Sequence, residues 1–217
     1  MRLLLAAAAL AATLAVALAV AVAARADDVR VVTLAPVEDV SLPFRCNWGY
    51  DWDERCYRDD SDRLDVGGVD DKVWRGALRF SLDRLPPGAV VVTAELSLRY
   101  DGTCVAPFRR RRACDGRGFE LDAHPIFTSR WIAEREVEVG PPLANASIEP
   151  FAPAEWVVWD LSDLVSAWQS GDLPNDGVLL ELADWQEDFG VSGPSFPSST
   201  FADPSMRPNL TVWYLAR

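Results

Sequence analysis

The sequence predicts an all-β domain, a jelly-roll-type antiparallel β-sandwich with one short α-helix. Short runs of branched and aromatic residues, separated by clusters of Pro, Gly, Ser and Asn, recur along the chain. Strands joined by turns read this way. The run from Val90 to Tyr100 alternates, with Val90, Val92, Ala94, Leu96 and Leu98 on one face and Val91, Thr93, Glu95, Ser97 and Arg99 on the other. That is the pattern of a half-buried strand. Only one segment has helical spacing, and many short strands with one small helix pack as a sandwich.

Taken in order, strands are expected at Val29-Arg30-Val31-Val32-Thr33-Leu34, from Trp74 to Leu82, and at the alternating run itself. Leu85-Pro86-Pro87-Gly88 makes the turn between the last two, since Pro fixes φ and Gly accepts a positive one. Further strands are expected at Phe119 to Ala123, Val137 to Val139, Trp156 to Trp159, Val178 to Leu182 and Leu210 to Leu215. The helix is expected to start at Asp160 as N-cap, with Asp163 near its positive end, and to stop at Gly171. Leu161, Leu164, Val165 and Trp168 form its core-facing stripe. Trp156, Trp159 and Trp168 all read as core.

The N-terminus sets the compartment. Arg2 precedes an unbroken apolar run from Leu3 to Ala24, and Ala24-Arg25-Ala26 supplies the small residues of a signal-peptidase site. Residues 1–26 are therefore expected to be a secretory signal peptide and residues 27–217 one domain, secreted to the extracellular side. The alternative is a retained segment that tethers the domain to the membrane, because about 20 apolar residues span a bilayer. If the segment is cleaved, no stable membrane insertion is expected. The chain carries a net charge of −12, which argues against nucleic acid as a partner.

Cys46, Cys56, Cys104 and Cys114 are an even set, which in an exported chain reads as disulfides. Three pairings exist, and the two equal intervals favour Cys46–Cys56 with Cys104–Cys114. No metal site is expected from them, because structural zinc takes its cysteines as close pairs. Asp59, Asp60, Asp62, Asp65, Asp70 and Asp71 offer oxygen ligands for a structural calcium, but their spacing is not that of an EF-hand, and an acidic solvated loop is the simpler account. No cofactor is called for.

The order of four stretches resembles the DNRLRE-domain proteins and carbohydrate-binding module family 96. They are Val32-Thr33-Leu34-Ala35-Pro36 with Asp39; Leu78-Arg79-Phe80-Ser81-Leu82 running into Leu85-Pro86-Pro87-Gly88-Ala89; Asp160 to Val165 with Trp168, Gly171, Asn175 and Gly177; and Ser198-Ser199 leading through Asp203-Pro204-Ser205-Met206-Arg207-Pro208 to Tyr214. The resemblance implies a secreted β-sandwich of bacterial and archaeal surface and polysaccharide-degrading proteins. The chain departs from the family's pattern around Trp131, where Glu134 and Val137 follow out of step and a second Trp is missing, and the two cysteine loops look like insertions.

Between Cys46 and Cys56, Trp48, Tyr50 and Trp52 lie on a closed loop. Aromatic faces held this way take the C–H face of a sugar, unless they turn inward as the loop's own core. Arg109, Arg110, Arg111 and Arg112, between Cys104 and Cys114, suit the carboxylates or sulfates of an acidic polysaccharide, unless they pair with acids of the same molecule. Trp131 completes the set. For catalysis the sequence offers little: His124 is the only histidine, it has no nucleophile motif beside it, and Glu134 and Glu136 do not identify a carboxylate pair. The expectation is a non-catalytic module that binds a polysaccharide or cell-surface glycan. The alternative is a structural or adhesive surface domain without a sugar site.

Overall fold

A strand that is apolar on one face must cover that face, and in this protein the cover is a second sheet. A computed structural model describes residues 29–45, 61–69, 72–106, 110–129, 137–188 and 192–216. Strands β1 (Val29–Leu34), β6 (Val90–Tyr100), β11 (Glu155–Asp160) and β14 (Asn209–Leu215) form a four-stranded antiparallel sheet in the order β1-β14-β6-β11. The facing sheet has six strands. Its main path is β10 (Ala144–Ile148), β9 (Phe119–Pro125), β12 (Val178–Leu182), β5 (Lys72–Phe80) and β2 (Pro36–Arg45), and β4 (Gly67–Val69) also pairs with β5. Among the described residues there are also two small ribbons: β3 (Arg63–Asp65) with β13 (Ser195–Pro197), and β7 (Thr103–Ala106) with β8 (Arg110–Ala113).

The core lies between the two large sheets. Leu96, Leu98, Val157, Trp159, Leu210 and Val212 from one side meet Leu78, Phe80, Phe119, Leu121, Leu180 and Leu182 from the other. Trp159 is fully buried. Its indole Nε1–H donates to the Leu121 carbonyl at 3.1 Å, joining β11 of one sheet to β9 of the other. Its ring also meets Phe196 edge-on, with centroids 6.4 Å apart. Helix α1 (Ser162–Ser170) packs Leu164, Val165 and Trp168 into this same core.

Most expected strands form within a residue or two of their predicted ends. Three differences have clear physical causes. The alternating run in β6 changes phase: a bulge lies where Trp213 pairs with Thr93 and Tyr214 with Val91, so Val92 is the extra residue and faces solvent. Val91 packs against the core in its place. Val137 to Val139 is not a strand; Val139 makes only an isolated bridge to Ile126, while Val137 and Val139 cover a small cluster of Val40, Leu42, Ala77, Ile126 and Leu179 on the far side of the six-stranded sheet. The helix begins at Ser162 after Leu161, so Asp160 acts one position further out than an N-cap and accepts the Ser162 backbone N–H at 2.9 Å. Gly171 ends the helix with φ 83°, a left-handed turn that a side chain resists. A second short helix, α2 (Asp184–Asp188), was not expected.

Polar side chains stitch the ribbons to the sandwich. Arg63 donates through both terminal nitrogens to Asp101 at 2.7 and 2.8 Å and also to the Ser195 carbonyl. Asp65, one of the acids considered for calcium, accepts from Ser195 Oγ. Asp62 is exposed, and the other four acids of that set lie outside the described residues.

Trp159 should dominate stability. Trp159→Ala is expected to cost about 3–5 kcal/mol, through lost burial and the cavity left behind. Trp159→Phe keeps most of the volume but removes the hydrogen bond to the Leu121 carbonyl, and should cost about 0.5–1.5 kcal/mol. Denaturant unfolding of the two variants checks both values, and equal stability of Trp159→Phe and wild type would contradict the cross-sheet bond.

Candidate functional site

The structure carries three arrangements with chemistry in them: an open sheet face, a cleft at one end of the sandwich, and a buried charged network. In β11, Val157 and Trp159 point into the core, so the period of two turns Trp156 and Val158 outward. Trp156 is 40 % exposed, against the expectation that it belongs to the core. It pairs in register with Arg99 of β6, whose guanidinium carbon lies 5.9 Å from the indole centroid. Such a cation–π contact contributes about 0.5–1 kcal/mol at an exposed site and steadies the ring.

The same face continues in register across the sheet. Ser97 lies between Val158 and Asn209, Glu95 between Asp160 and Thr211, and Thr93 beside Trp213. Trp213 is partly exposed. From the Arg99–Trp156 pair to the Thr93–Trp213 pair is six residues of β6, roughly 20 Å at the rise of a strand. The surface is thus elongated, with an indole near each end and hydroxyl, amide and charged groups between.

The cleft has a volume of about 400 Å³ and opens where the end of β5, the C-terminal turn of α1 and the segment leading to β12 meet. Arg79, Trp168, Gln169 and Asn175 line it, with Val37 from β2. Asn175 Nδ2 donates to the Phe80 carbonyl at 2.8 Å, which fixes the amide orientation and leaves Oδ1 buried without a partner. Arg79 forms an ion pair with Glu38, yet its Nε is also buried and unpartnered. Both atoms are closed to solvent, and an unmet buried polar atom costs about 1–3 kcal/mol. Gly177 follows, at φ 107°; a Cβ there would stand 2.5 Å from the Leu78 carbonyl oxygen, so only glycine lets this segment lie against β5.

The charged network lies on the outer side of the six-stranded sheet. His124 Nδ1 is 2.8 Å from the Gly140 carbonyl oxygen, and Nε2 is 3.0 Å from Glu181 Oε1. Glu181 pairs in turn with Arg75 at 2.8 Å, and Arg75 donates to both carboxylate oxygens of Glu187 in α2. Both neighbours of the imidazole are acceptors, so it is best held with both nitrogens protonated. Burial pulls the His124 pKa down, but the Glu181 hydrogen bond and charge, the Gly140 carbonyl and Asp122 together raise it. Asp122 is raised as well, by burial first and by Glu181, Asp184 and Glu120, with His124 opposing. The histidine is thereby committed to holding β9, β12 and the loop at Gly140 together.

Of the residues singled out from sequence, Trp48, Tyr50, Trp52, Arg109 and Trp131 lie outside the described residues, as do Cys46, Cys56 and the N-terminal segment 1–26. The Cys104–Cys114 disulfide is formed, with its Cα atoms 5.0 Å apart. It closes the β7–β8 ribbon, in which Arg110 pairs with Ala106, Arg111 with Val105 and Arg112 with Cys104. The base of the ribbon is anchored by buried Cys104 and by the Val105 N–H, which donates to the Gly193 carbonyl at 3.0 Å. Arg112 is exposed. Among the described residues no group of three or more His, Cys, Asp or Glu could hold a metal ion, and no helix is long and apolar enough to cross a membrane.

Residues of the four motif stretches serve as internal ties. Asp39 accepts the backbone N–H and the hydroxyl of Ser199, and Asp203 accepts the Ser205 N–H at 2.9 Å. No family model and no curated protein matches this chain.

The network makes stability depend on pH in a defined direction. Because the folded pKa of His124 lies above the ordinary value near 6.5, its contribution is complete below that value and is lost as pH climbs through the folded one. Denaturant unfolding followed across neutral and mildly alkaline pH should show this decline, and Glu181→Gln should flatten it. A decline of the same slope in Glu181→Gln would contradict the assignment.

Proposed function

We propose that this protein is an exported, non-catalytic module that binds glycan, with the open face of the four-stranded sheet as its platform. The observation that carries the reading is Trp156, a solvent-facing indole held by Arg99 on a sheet face of hydroxyl, amide and charged groups. An indole face packs on the C–H face of a pyranose while neighbouring polar groups bond its hydroxyls. The length of the face from Trp156 to Trp213 suits an extended chain better than a single sugar. In the same reading the disulfide-closed ribbon with Arg110, Arg111 and Arg112 meets the acidic groups of a polysaccharide.

The resemblance to DNRLRE-domain and family 96 modules supports this reading, as do the paired cysteines and the apolar N-terminal segment expected of an exported chain. A jelly-roll connectivity belongs to the same proposal, since the chain passes repeatedly from one sheet to the other. A second reading, an adhesive domain that contacts protein, draws on the exposed valines Val29, Val31 and Val92 near one end of the same face.

Affinity electrophoresis of the residue 27–217 protein in gels of neutral and acidic polysaccharide separates the two. Retardation by at least one polysaccharide is expected, with Trp156→Ala weakening it about tenfold or more, close to 1.4 kcal/mol, at unchanged stability. Retardation by the acidic polymer should fall with salt. No retardation by any polysaccharide would overturn the glycan reading and leave the adhesive one.

A further inference from the structure

The loop that carries the chain from β10 to β11 holds an aromatic side chain that the core does not use. Phe151 is 84 % exposed, the most open large apolar residue among those described. Its backbone is unusual as well: φ is 60°, the one positive value among the described residues other than glycine. The Ala152 N–H donates to the Glu149 carbonyl at 3.0 Å, so residues 149–152 form a β-turn with Pro150 and Phe151 at its centre. Proline cannot take a positive φ, so the turn is of type II, whose third position calls for glycine or asparagine. A phenylalanine there strains the backbone and buries little of its ring.

The neighbouring chain fixes this ring without covering it. The Phe151 N–H donates to the Gly116 carbonyl at 3.2 Å, and a Cβ on Gly116 would collide with the ring, so only glycine lets the segment after β8 lie against the turn. Asp115 holds that segment in shape: its carboxylate accepts the Arg117 N–H at 3.4 Å and pairs with the Arg117 guanidinium at 3.0 Å, and both side chains are exposed. One side of the ring therefore rests on Gly116, whose two neighbours carry a carboxylate and a guanidinium, and the rest is open to solvent. The turn also stands at the Trp156 end of the open face. Glu155 pairs with Tyr100 at the end of β6, and the Cys114 N–H donates to the Gly102 carbonyl at 2.9 Å, so the β7–β8 ribbon enters and leaves at this same end. Phe151 and Trp156 are five residues apart, which limits their Cα atoms to about 18 Å.

We propose that Phe151 is a sugar-stacking residue, which holds a further pyranose unit of a polysaccharide bound along the open face, where that chain leaves the sheet for the disulfide-closed ribbon. The inference rests on the glycan reading of Trp156. A single ring beside charged groups has the scale of one sugar, whose C–H face meets the ring while Asp115 and Arg117 bond its hydroxyls. A protein partner calls for a wider apolar patch, whereas the exposed residues of these two segments include Glu149, Asp115 and Arg117. The type II turn gives the strain a use: it sets the direction of the ring before any ligand arrives.

Phe151→Gly and Phe151→Tyr, compared with Trp156→Ala and wild type as residue 27–217 proteins, test this by affinity electrophoresis in neutral and acidic polysaccharide and by denaturant unfolding. Glycine takes a φ of 60° without strain, so Phe151→Gly should keep or raise the unfolding midpoint. The same variant should weaken retardation about fivefold or more, and Phe151→Tyr, which keeps the ring, should stay within about twofold of wild type. A lowered midpoint in Phe151→Gly would make the ring a structural part and overturn the assignment, as would a loss of retardation in Phe151→Tyr as large as in Phe151→Gly. Retardation lost in Trp156→Ala but unchanged in Phe151→Gly would overturn this subsite and leave the open-face reading in force. Wild type retarded by no polysaccharide would overturn both.

Discussion

The indole of Trp159 joins the two halves of the sandwich, and much of the surface chemistry follows from where it sits. It fills the space between the sheets, touches Phe196 edge-on, and gives its one polar hydrogen to a carbonyl of the opposite sheet. A buried indole N–H without an acceptor would be costly, so this bond selects one orientation of β11 relative to β9. Once Trp159 faces inward, the pleat sends Trp156 and Val158 to solvent and brings Trp156 beside Arg99. The exposed ring is a geometric consequence of the buried one.

Around this core the protein concentrates charge in a few paired clusters. Arg63 holds the β3–β13 ribbon to Asp101, whose carboxyl is kept below the ordinary range; burial acts upward there but is outweighed by the Arg63 and Thr103 hydrogen bonds. Arg75, Glu181, His124 and Glu187 do the equivalent work on the outer side of the six-stranded sheet. In each cluster the removal of one partner is worse than the loss of one bond, because it leaves an uncompensated buried charge. The Cys104–Cys114 link acts on a different quantity: it restricts the unfolded chain around the β7–β8 ribbon, whose interior positions already dock on Gly193 and Pro194.

The all-β class and most strands were legible because burial on one face writes a period of two into the sequence. Val178–Leu182 was readable even without alternation, as a short apolar run buried throughout. Strand β2 was not legible, since Pro36 and Pro43 and the acids Glu38 and Asp39 argue against a strand locally; pairing with β5 overrides them. The phase change at Val92 depends on a bulge against β14, a long-range event with no local signature. Trp156, however, could have been found. Trp156 and Trp159 are three apart in a strand, and residues three apart point to opposite faces, so both could not be core. The cleft was illegible for another reason: Arg79 and Asn175 are far apart in sequence and come to line one space only through packing.

If the pleat that buries Trp159 is what exposes Trp156, light-induced nuclear polarisation of the indoles reads the claim directly, because only rings open to a dissolved dye become polarised. With signals assigned by single Trp→Phe substitutions, Trp156 should polarise strongly and Trp159 not at all. Polarisation of Trp159, or a silent Trp156, would contradict the account.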